Sequence, residues 1–203
     1  MRMLLLFLLG FLLAPLGDVC HILSDTIIYP PGVYNYYIFG ILPYWVPFLF
    51  GTATVLIGAS HLFSDKLFDF KLFLKYGSTN PPWWHIGLGM FAFLFLYCIS
   101  GIAPYWVMML VLVYLLATLA RGPYDLVLMS ATALVGASAE IHLISQNLFS
   151  YHPDHRHIFG IPMWLPLLYA LASLVVGNLA RKLSQVDIMA LCGVTAKNAE
   201  QVG

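Results

Sequence analysis

The chain has 203 residues, of which 61% are apolar and only 9% are charged, and its formal net charge is zero. With a mean hydropathy of +0.87, too few charged side chains are left to cover a water-facing surface, so the composition excludes a soluble globular protein. The bilayer must be the solvent. The basic residues form no patch, which also excludes a nucleic-acid-binding surface.

Six stretches are long and apolar enough to cross a bilayer, since a spanning helix needs about 20 mostly apolar residues. In chain order they cover approximately residues 3–23, 37–62, 84–100, 104–120, 126–147 and 159–180. The sequence therefore predicts an all-α polytopic membrane protein. Its six-transmembrane-helix bundle is expected over residues 1–183, followed by a short cytoplasmic tail over residues 184–203.

The positions of Lys and Arg indicate the orientation, because basic residues concentrate in cytoplasmic loops. With the N-terminus inside, eight of the nine basic residues lie on the cytoplasmic side and only Arg156 lies outside. The eight are Arg2, Lys66, Lys71, Lys75, Arg121, Arg181, Lys182 and Lys197. We therefore expect both termini in the cytoplasm.

The first two predicted spans resemble the last two. Both pairs carry, in the same order, a His-x-x-Ser, a Phe-Gly-Ile and a Trp-x-Pro motif, an order that is hard to obtain twice by accident. The motifs start at His21, Phe39 and Trp45 in the earlier copy and at His142, Phe159 and Trp164 in the later copy. Because both copies begin inside, the sequence predicts a parallel repeat about an axis along the membrane normal.

Paired prolines lie near the outer ends of the second and sixth predicted spans, Pro43 with Pro47 and Pro162 with Pro166. Proline removes a backbone donor and kinks a helix. We therefore expect these two spans to bend, which would splay the outer half of the bundle open.

Two acidic residues, Asp18 and Glu140, fall inside predicted spans one and five. An acidic residue at the bilayer centre costs roughly 2.5 to 3.5 kcal/mol on insertion scales, so such groups face the bundle interior or a cavity. Asp18 and His21 share a helical face, because residues three apart are neighbours, whereas Glu140 and His142 do not. One interpretation is a polar pocket for a lipid hydroxyl or for acid/base chemistry; the other is a structural pair that fixes helix register.

Signals for metals, cofactors and disulfides are weak. His152, His155 and His157 lie in one loop and could hold a metal ion, but their spacing matches no strong motif, and a loop facing headgroups explains them equally well. No cofactor motif is present. The three cysteines, Cys20, Cys98 and Cys192, show no paired spacing, so neither a disulfide framework nor a thiolate site is predicted.

Two ordered motifs resemble the Insig family. The first combines a Trp-Val-Pro, a Gly-Thr-Ala, a glycine and an aspartate at fixed spacing, and the second combines a Trp-Leu-Pro with a Val-Gly-Asn-x-x-Arg-x-Leu end. They begin at Trp45, Gly51, Gly58 and Asp65, and at Trp164 and Val176. The matching residues cover about half of the chain, in the two copies of the repeat.

The resemblance implies a six-span fold with both termini cytosolic. In eukaryotes the family resides in the endoplasmic reticulum, binds oxysterols between its helices and retains a sterol-sensing escort protein. Asp65 stands at the position of a family aspartate implicated in partner binding; the alternative is a loop charge paired with Lys66. The family also has bacterial relatives, for which an inner membrane and a glycerolipid ligand in the central cavity are expected as readily as a sterol.

The leading hypothesis is a lipid-binding protein of Insig type that holds a sterol-like or glycerolipid ligand, compatible with a membrane-protein partner and with a homo-oligomer. The expected ligand-binding residues are Asp18, His21, Trp45, Glu140, His142, Asn147 and Trp164. The alternative is a small membrane isomerase, cyclase or hydratase acting on an isoprenoid or sterol. In it Glu140 or Asp18 would be the general acid, with aromatic residues stabilising a cation. A transporter is indicated only by the repeat.

Overall fold

The computed structural model describes residues 1–31, 36–67, 82–120 and 122–185. Several residues used for the predictions lie outside the described part. They are Lys71, Lys75, Arg121, Cys192 and Lys197, together with the predicted tail beyond residue 185.

The described residues form an all-α bundle of six helical spans, which confirms the predicted fold class. The first span consists of two helices, α1 (Arg2–Leu13) and α2 (Pro15–Leu23), that meet at Ala14. The other spans are α3 (Trp45–Leu67), α4 (Trp83–Ile99), α5 (Tyr105–Leu119), α6 (Pro123–Ser145) and α7 (Leu165–Gln185). A 3-10 helix over Pro153–His155 lies in the loop before α7.

Helix α7 lies at the centre and packs on α3, α4, α5 and α6. By length and apolar composition, Arg2–Leu23, Trp45–Leu67 and Pro123–Ser145 suit a membrane crossing, while Trp83–Ile99 and Tyr105–Leu119 are apolar but shorter. The central helix is less apolar because protein, not lipid, surrounds its polar side chains. Ser173, Asn178 and Arg181 on α7 are all buried.

The predicted proline kinks are wrong, because the prolines lie at helix starts. Pro43 precedes α3 and belongs to a short strand, whereas Pro47 is the third residue of that helix. Pro162 precedes α7, and Pro166 is its second residue. The first four N–H groups of a helix have no acceptor within it, so proline there removes no hydrogen bond. The second and sixth spans therefore begin later than predicted, at Trp45 and Leu165.

Short strands join the two copies of the repeat. Strand β1 (Ile27–Ile28) pairs antiparallel with β4 (Ser150–Tyr151), with Ile27 opposite Tyr151 and Ile28 opposite Ser150. In the earlier copy, β2 (Tyr37–Ile38) and β3 (Leu42–Pro43) form a hairpin, and an isolated bridge between Ile158 and Ile161 follows in the later copy. The two loops thus meet at equivalent residues, as expected for a pseudo-two-fold arrangement.

Backbone angles confirm the repeat and set its register. Within the described ranges, the non-glycine residues with positive φ form two matched pairs, Asp25 (54°) with Asn147 (57°) and Phe39 (52°) with Phe159 (49°). The Asp25–Asn147 pair makes Asp18 equivalent to Glu140. The same register makes His21 equivalent to Leu143, so the motif alignment on His21 and His142 is one residue off at this point.

Helices α1 and α3 pack closely at Gly10. A Cβ on Gly10 would lie 2.7 Å from Thr54 Cβ and 2.8 Å from the carbonyl oxygen of Phe50. We expect Gly10→Ala to lower the free energy of unfolding by about 1–3 kcal/mol through overpacking, measured by thermal unfolding in detergent. Gly87→Ala is the control, because a Cβ there meets nothing within 4 Å. Equal stability of the two variants would contradict this packing.

Candidate functional site

A cavity of about 240 Å³ lies between α2, α3, α6 and α7, toward the end of the bundle predicted to face outside. Most of its wall is apolar, with α3 contributing Trp45, Val46, Leu49 and Phe50. Its polar side chains are Asp18, Tyr29, Thr52, Glu140 and Tyr169. An apolar wall with a few converging polar groups is typical of a ligand site.

The Asp18 carboxyl group is buried and accepts hydrogen bonds from two tyrosine hydroxyls. Tyr29 Oη donates to Asp18 Oδ2 at 2.7 Å, and Tyr97 Oη donates to Asp18 Oδ1. Gly17 makes room for the second tyrosine, because a Cβ at this position would overlap the Tyr97 ring. The carboxylate is thereby tied to both the loop after α2 and helix α4.

Glu140 repeats this arrangement in the second copy. Tyr169 Oη donates to Glu140 Oε1 at 2.5 Å, and Tyr151 Oη donates to Oε2 at 3.2 Å. Asp18 and Tyr29 are eleven residues apart, as are Glu140 and Tyr151. This shared spacing is a signal that the sequence does contain. Tyr97 and Tyr169 lie on other helices, and no sequence pattern connects them to the acids.

The loop tyrosines are permanent hydrogen-bond donors. Burial, followed by the charge of Asp18, raises the pKa of the Tyr29 hydroxyl well above its ordinary value. Burial and the charge of Glu140 raise the pKa of Tyr151 in the same way. Both phenols therefore stay protonated throughout the physiological pH range and keep donating to the carboxyls.

The site offers acceptors for hydrogen bonds and no basic side chain among the described residues that line it. An ionised carboxyl offers about four acceptor positions, and the two tyrosines on each acid leave some of them open. Among the described residues that line the cavity, none is Lys, Arg or His. Such a site suits a donor without negative charge, such as a hydroxyl group.

The cavity opens sideways between α3 and α6. Leu56 and Val135 form part of its wall, yet they are 65% and 70% exposed on the surface of the bundle. An adjoining cavity of about 310 Å³ shares these two residues and continues along the same helices. Since α3 and α6 barely pack on each other, the opening faces the space that lipid would fill.

Comparisons with known proteins agree with this architecture. No protein-family model matches the sequence. The chain is 26% identical over 189 residues to an INSIG protein homolog of Mycolicibacterium vanbaalenii, covering 86% of this chain and 84% of the relative. The fold matches the crystal structure of the mycobacterial Insig homologue MvINS from Mycobacterium vanbaalenii, with a TM-score of 0.76 at 23% identity over 90% of this chain and 94% of that chain.

The chain is an Insig-like membrane protein. A crystal structure of a cross-linked MvINS trimer matches it with the same TM-score of 0.76.

The cavity of this Insig-like protein gathers three of the seven expected ligand-binding residues, Asp18, Trp45 and Glu140. His142 and Asn147 are exposed beyond the cavity wall, and Asn147 instead supplies the positive φ that follows the end of α6. Whether a ligand contacts any of the seven stays a prediction.

His21 and Trp164 are also outside the cavity lining, because both are packed in the core. His21 is fully buried, and its Nε2 lies 2.8 Å from Ser100 Oγ. Trp164 is 1% exposed, and its ring centroid is 5.6 Å from that of His21. Their positions indicate that they hold the ends of α2 and α7 together.

Asp65 pairs with Arg181 of α7 and not with Lys66. Arg181 Nε donates to Asp65 Oδ2 at 2.7 Å, and Nη2 donates to Oδ1 at 2.8 Å. Arg181 Nη1 also donates to Asp125 Oδ1 at 3.0 Å. This ion triad of Asp65, Arg181 and Asp125 connects α3, α7 and α6 at the end predicted to be cytoplasmic. Asp125 had no role in the sequence predictions, since its partner is 56 positions away.

The loop that carries His152, His155 and His157 does not have the geometry of a metal site. His152 Nδ1 lies 3.4 Å from an Asp154 carboxylate oxygen, and the His157 ring packs against Tyr105 with centroids 5.5 Å apart. Burial lowers the pKa of His155, and the neighbouring His157 and His152 lower it further. In the described ranges, no group of three or more His, Cys, Asp or Glu side chains could hold a metal ion.

Proposed function

We propose that this Insig-like protein binds an uncharged lipid, sterol-like or glycerolipid, in the cavity between α3 and α6. The observation that carries the proposal is a pair of tyrosine-bound carboxyls in an otherwise apolar cavity that opens toward lipid. Buried acids in a membrane protein mark functional sites by default.

The polar head of the ligand is proposed to be a hydroxyl group. A hydroxyl can donate to an open acceptor position of Asp18 or Glu140, which a charged phosphate cannot do. A phosphate would also meet two carboxyls, with no basic side chain among the described residues that line the cavity. A phosphate charge would therefore be buried without a basic partner, which disfavours phospholipids and favours sterols or glycerolipids with a free hydroxyl.

The apolar tail of the lipid ligand contributes shape complementarity to binding but little free energy. A lipid tail is already in an apolar medium before it enters the protein, so burial against Leu49, Leu56 or Val135 gains little. Selectivity must then come from the hydrogen bonds at the head. Substitutions of Asp18 and Glu140 are therefore the most informative test of the proposal.

Asp18→Asn and Glu140→Gln are expected to lower the occupancy of a co-purifying lipid about tenfold each, because each variant replaces a charge-assisted hydrogen bond with a neutral one. Occupancy is measured by native mass spectrometry of the detergent-purified protein, and the lipid is identified after extraction. Asp154→Asn is the matched control, since the Asp154 side chain is 84% exposed in a loop.

Unchanged occupancy in both acid variants would rule out binding at this site. Conversion of an added isoprenoid or sterol by the wild-type protein, lost in both variants, would replace binding with catalysis by the same carboxyls.

We also propose that the chain forms a homo-oligomer, because the structurally similar MvINS has been crystallised as a cross-linked trimer. Native mass spectrometry reports this state in the same experiment.

A membrane-protein partner could reach Asp65, which is 24% exposed, more readily than the buried Asp125.

A further inference from the structure

Helices α2 and α4 make several contacts over one short stretch near their outer ends. The Tyr97 ring covers Gly17, His21 Nε2 lies 2.8 Å from Ser100 Oγ, and a Cβ on Gly101 would lie 3.0 Å from Thr26 Cβ. These contacts show that the two backbones lie close together along this stretch.

Cys20 and Cys98 lie between these contacts. Both are free thiols of intermediate exposure, and they are close enough to act on each other electrostatically. The Cys98 Sγ also lies 3.9 Å from the carbonyl oxygen of Leu16, four residues before Cys20 on α2. No sequence pattern predicts this pairing, because the two cysteines are far apart along the chain.

We propose that Cys20 and Cys98 form a reversible disulfide that links α2 to α4. A disulfide requires Cα atoms about 4.4–6.8 Å apart, and the contacts on either side of the two cysteines hold the backbones close. Cys20 is three residues before the end of α2, and Cys98 is one residue before the end of α4. Both thiols are thus within one turn of the outer ends of their helices. With the predicted orientation, these helix ends face an oxidising compartment, the periplasm or the lumen of the endoplasmic reticulum.

The oxidant is a small-molecule disulfide. The thiolate of one cysteine attacks one of its sulfurs, which forms a mixed disulfide and releases one small thiol. The second cysteine gives its proton to water and attacks the protein sulfur of the mixed disulfide, which releases the second small thiol. The two protein thiols lose two electrons to form one S–S bond, and the oxidant is reduced to two thiols.

The disulfide would hold the wall of the cavity in place. Tyr97 lies next to Cys98 and donates to Asp18, two residues before Cys20. Fixing α2 against α4 keeps this donor on its acceptor. Because the cross-link also shortens the unfolded chain, we expect it to raise the melting temperature by about 5 °C.

The test uses the full-length protein in detergent, incubated with oxidised or with reduced glutathione. The protein is then denatured, free thiols are alkylated and the digest is analysed by mass spectrometry. After oxidation we expect a peptide pair joined through Cys20 and Cys98, with Cys192 alkylated. Adding a reductant should reverse both the link and the rise in melting temperature.

Cys192→Ser is the matched control and should keep the cross-link, whereas Cys20→Ser and Cys98→Ser should each abolish it. Two single variants are used so that, if one of them fails to fold, the other still tests whether the cross-link is lost. Alkylation of both Cys20 and Cys98 after oxidation, or a disulfide to Cys192 or to another chain, would overturn the proposal.

Discussion

Replacing Arg181 with methionine is expected to lower the free energy of unfolding by about 3–5 kcal/mol, because it removes the guanidinium that pairs with the buried Asp125 carboxylate. Arg181 is 3% exposed and Asp125 is fully buried, so water cannot replace the lost ion pairs. The same guanidinium binds both oxygens of Asp65. Its removal therefore breaks the ion pairs of α7 with both α3 and α6.

Unfolding is followed by tryptophan fluorescence during heating in detergent. Lys66→Met is the control, since it removes a positive charge next to Asp65 from an exposed side chain. Adding Asp125→Asn to Arg181→Met should restore part of the stability, because the uncompensated charge is then gone. Equal melting temperatures of the Arg181→Met and Lys66→Met variants would show that the ion triad does not stabilise the packing of these helices.

Trp164→Ala is expected to cost about 3–5 kcal/mol of stability, the usual range for truncating a buried aromatic side chain. Trp164 is 1% exposed and packs against His21. Trp45, its counterpart in the repeat, is only half-buried and lines the cavity. Trp45→Ala should therefore cost less stability but lower lipid occupancy more.

Both tryptophan variants are compared by thermal unfolding and by native mass spectrometry at a temperature where both are folded. The two measurements separate packing from ligand contact, because each variant serves as the control for the other. If Trp164→Ala kept its stability and lost the lipid, Trp164 would belong to the ligand site after all.

The buried acids show how far the sequence leads to the site. The cost of a charge inside a bilayer is a property of the residue and its depth, so Asp18 and Glu140 were found without any structure. Their partners were not. Tyr97 is 79 positions from Asp18, and Tyr169 is 29 positions from Glu140, so only helix packing brings them together.

The prolines show where one-dimensional reasoning failed. Hydropathy continues across Pro43 and Pro162 because apolar residues flank them, so the predicted spans included the loops. The backbone instead turns at Phe39 and Phe159, where φ is positive. Helix starts depend on these turns, which hydropathy does not register.

The sequence by itself determined that this is an all-α membrane protein with six spans and an internal repeat, because hydropathy, basic charge and motif order are all readable along one chain. Only the tertiary structure decided which residues line the cavity, that Asp65 meets Arg181, and that Cys20 meets Cys98. The physical reason is that lipid exposure constrains each residue separately, whereas every one of these contacts joins side chains on different helices.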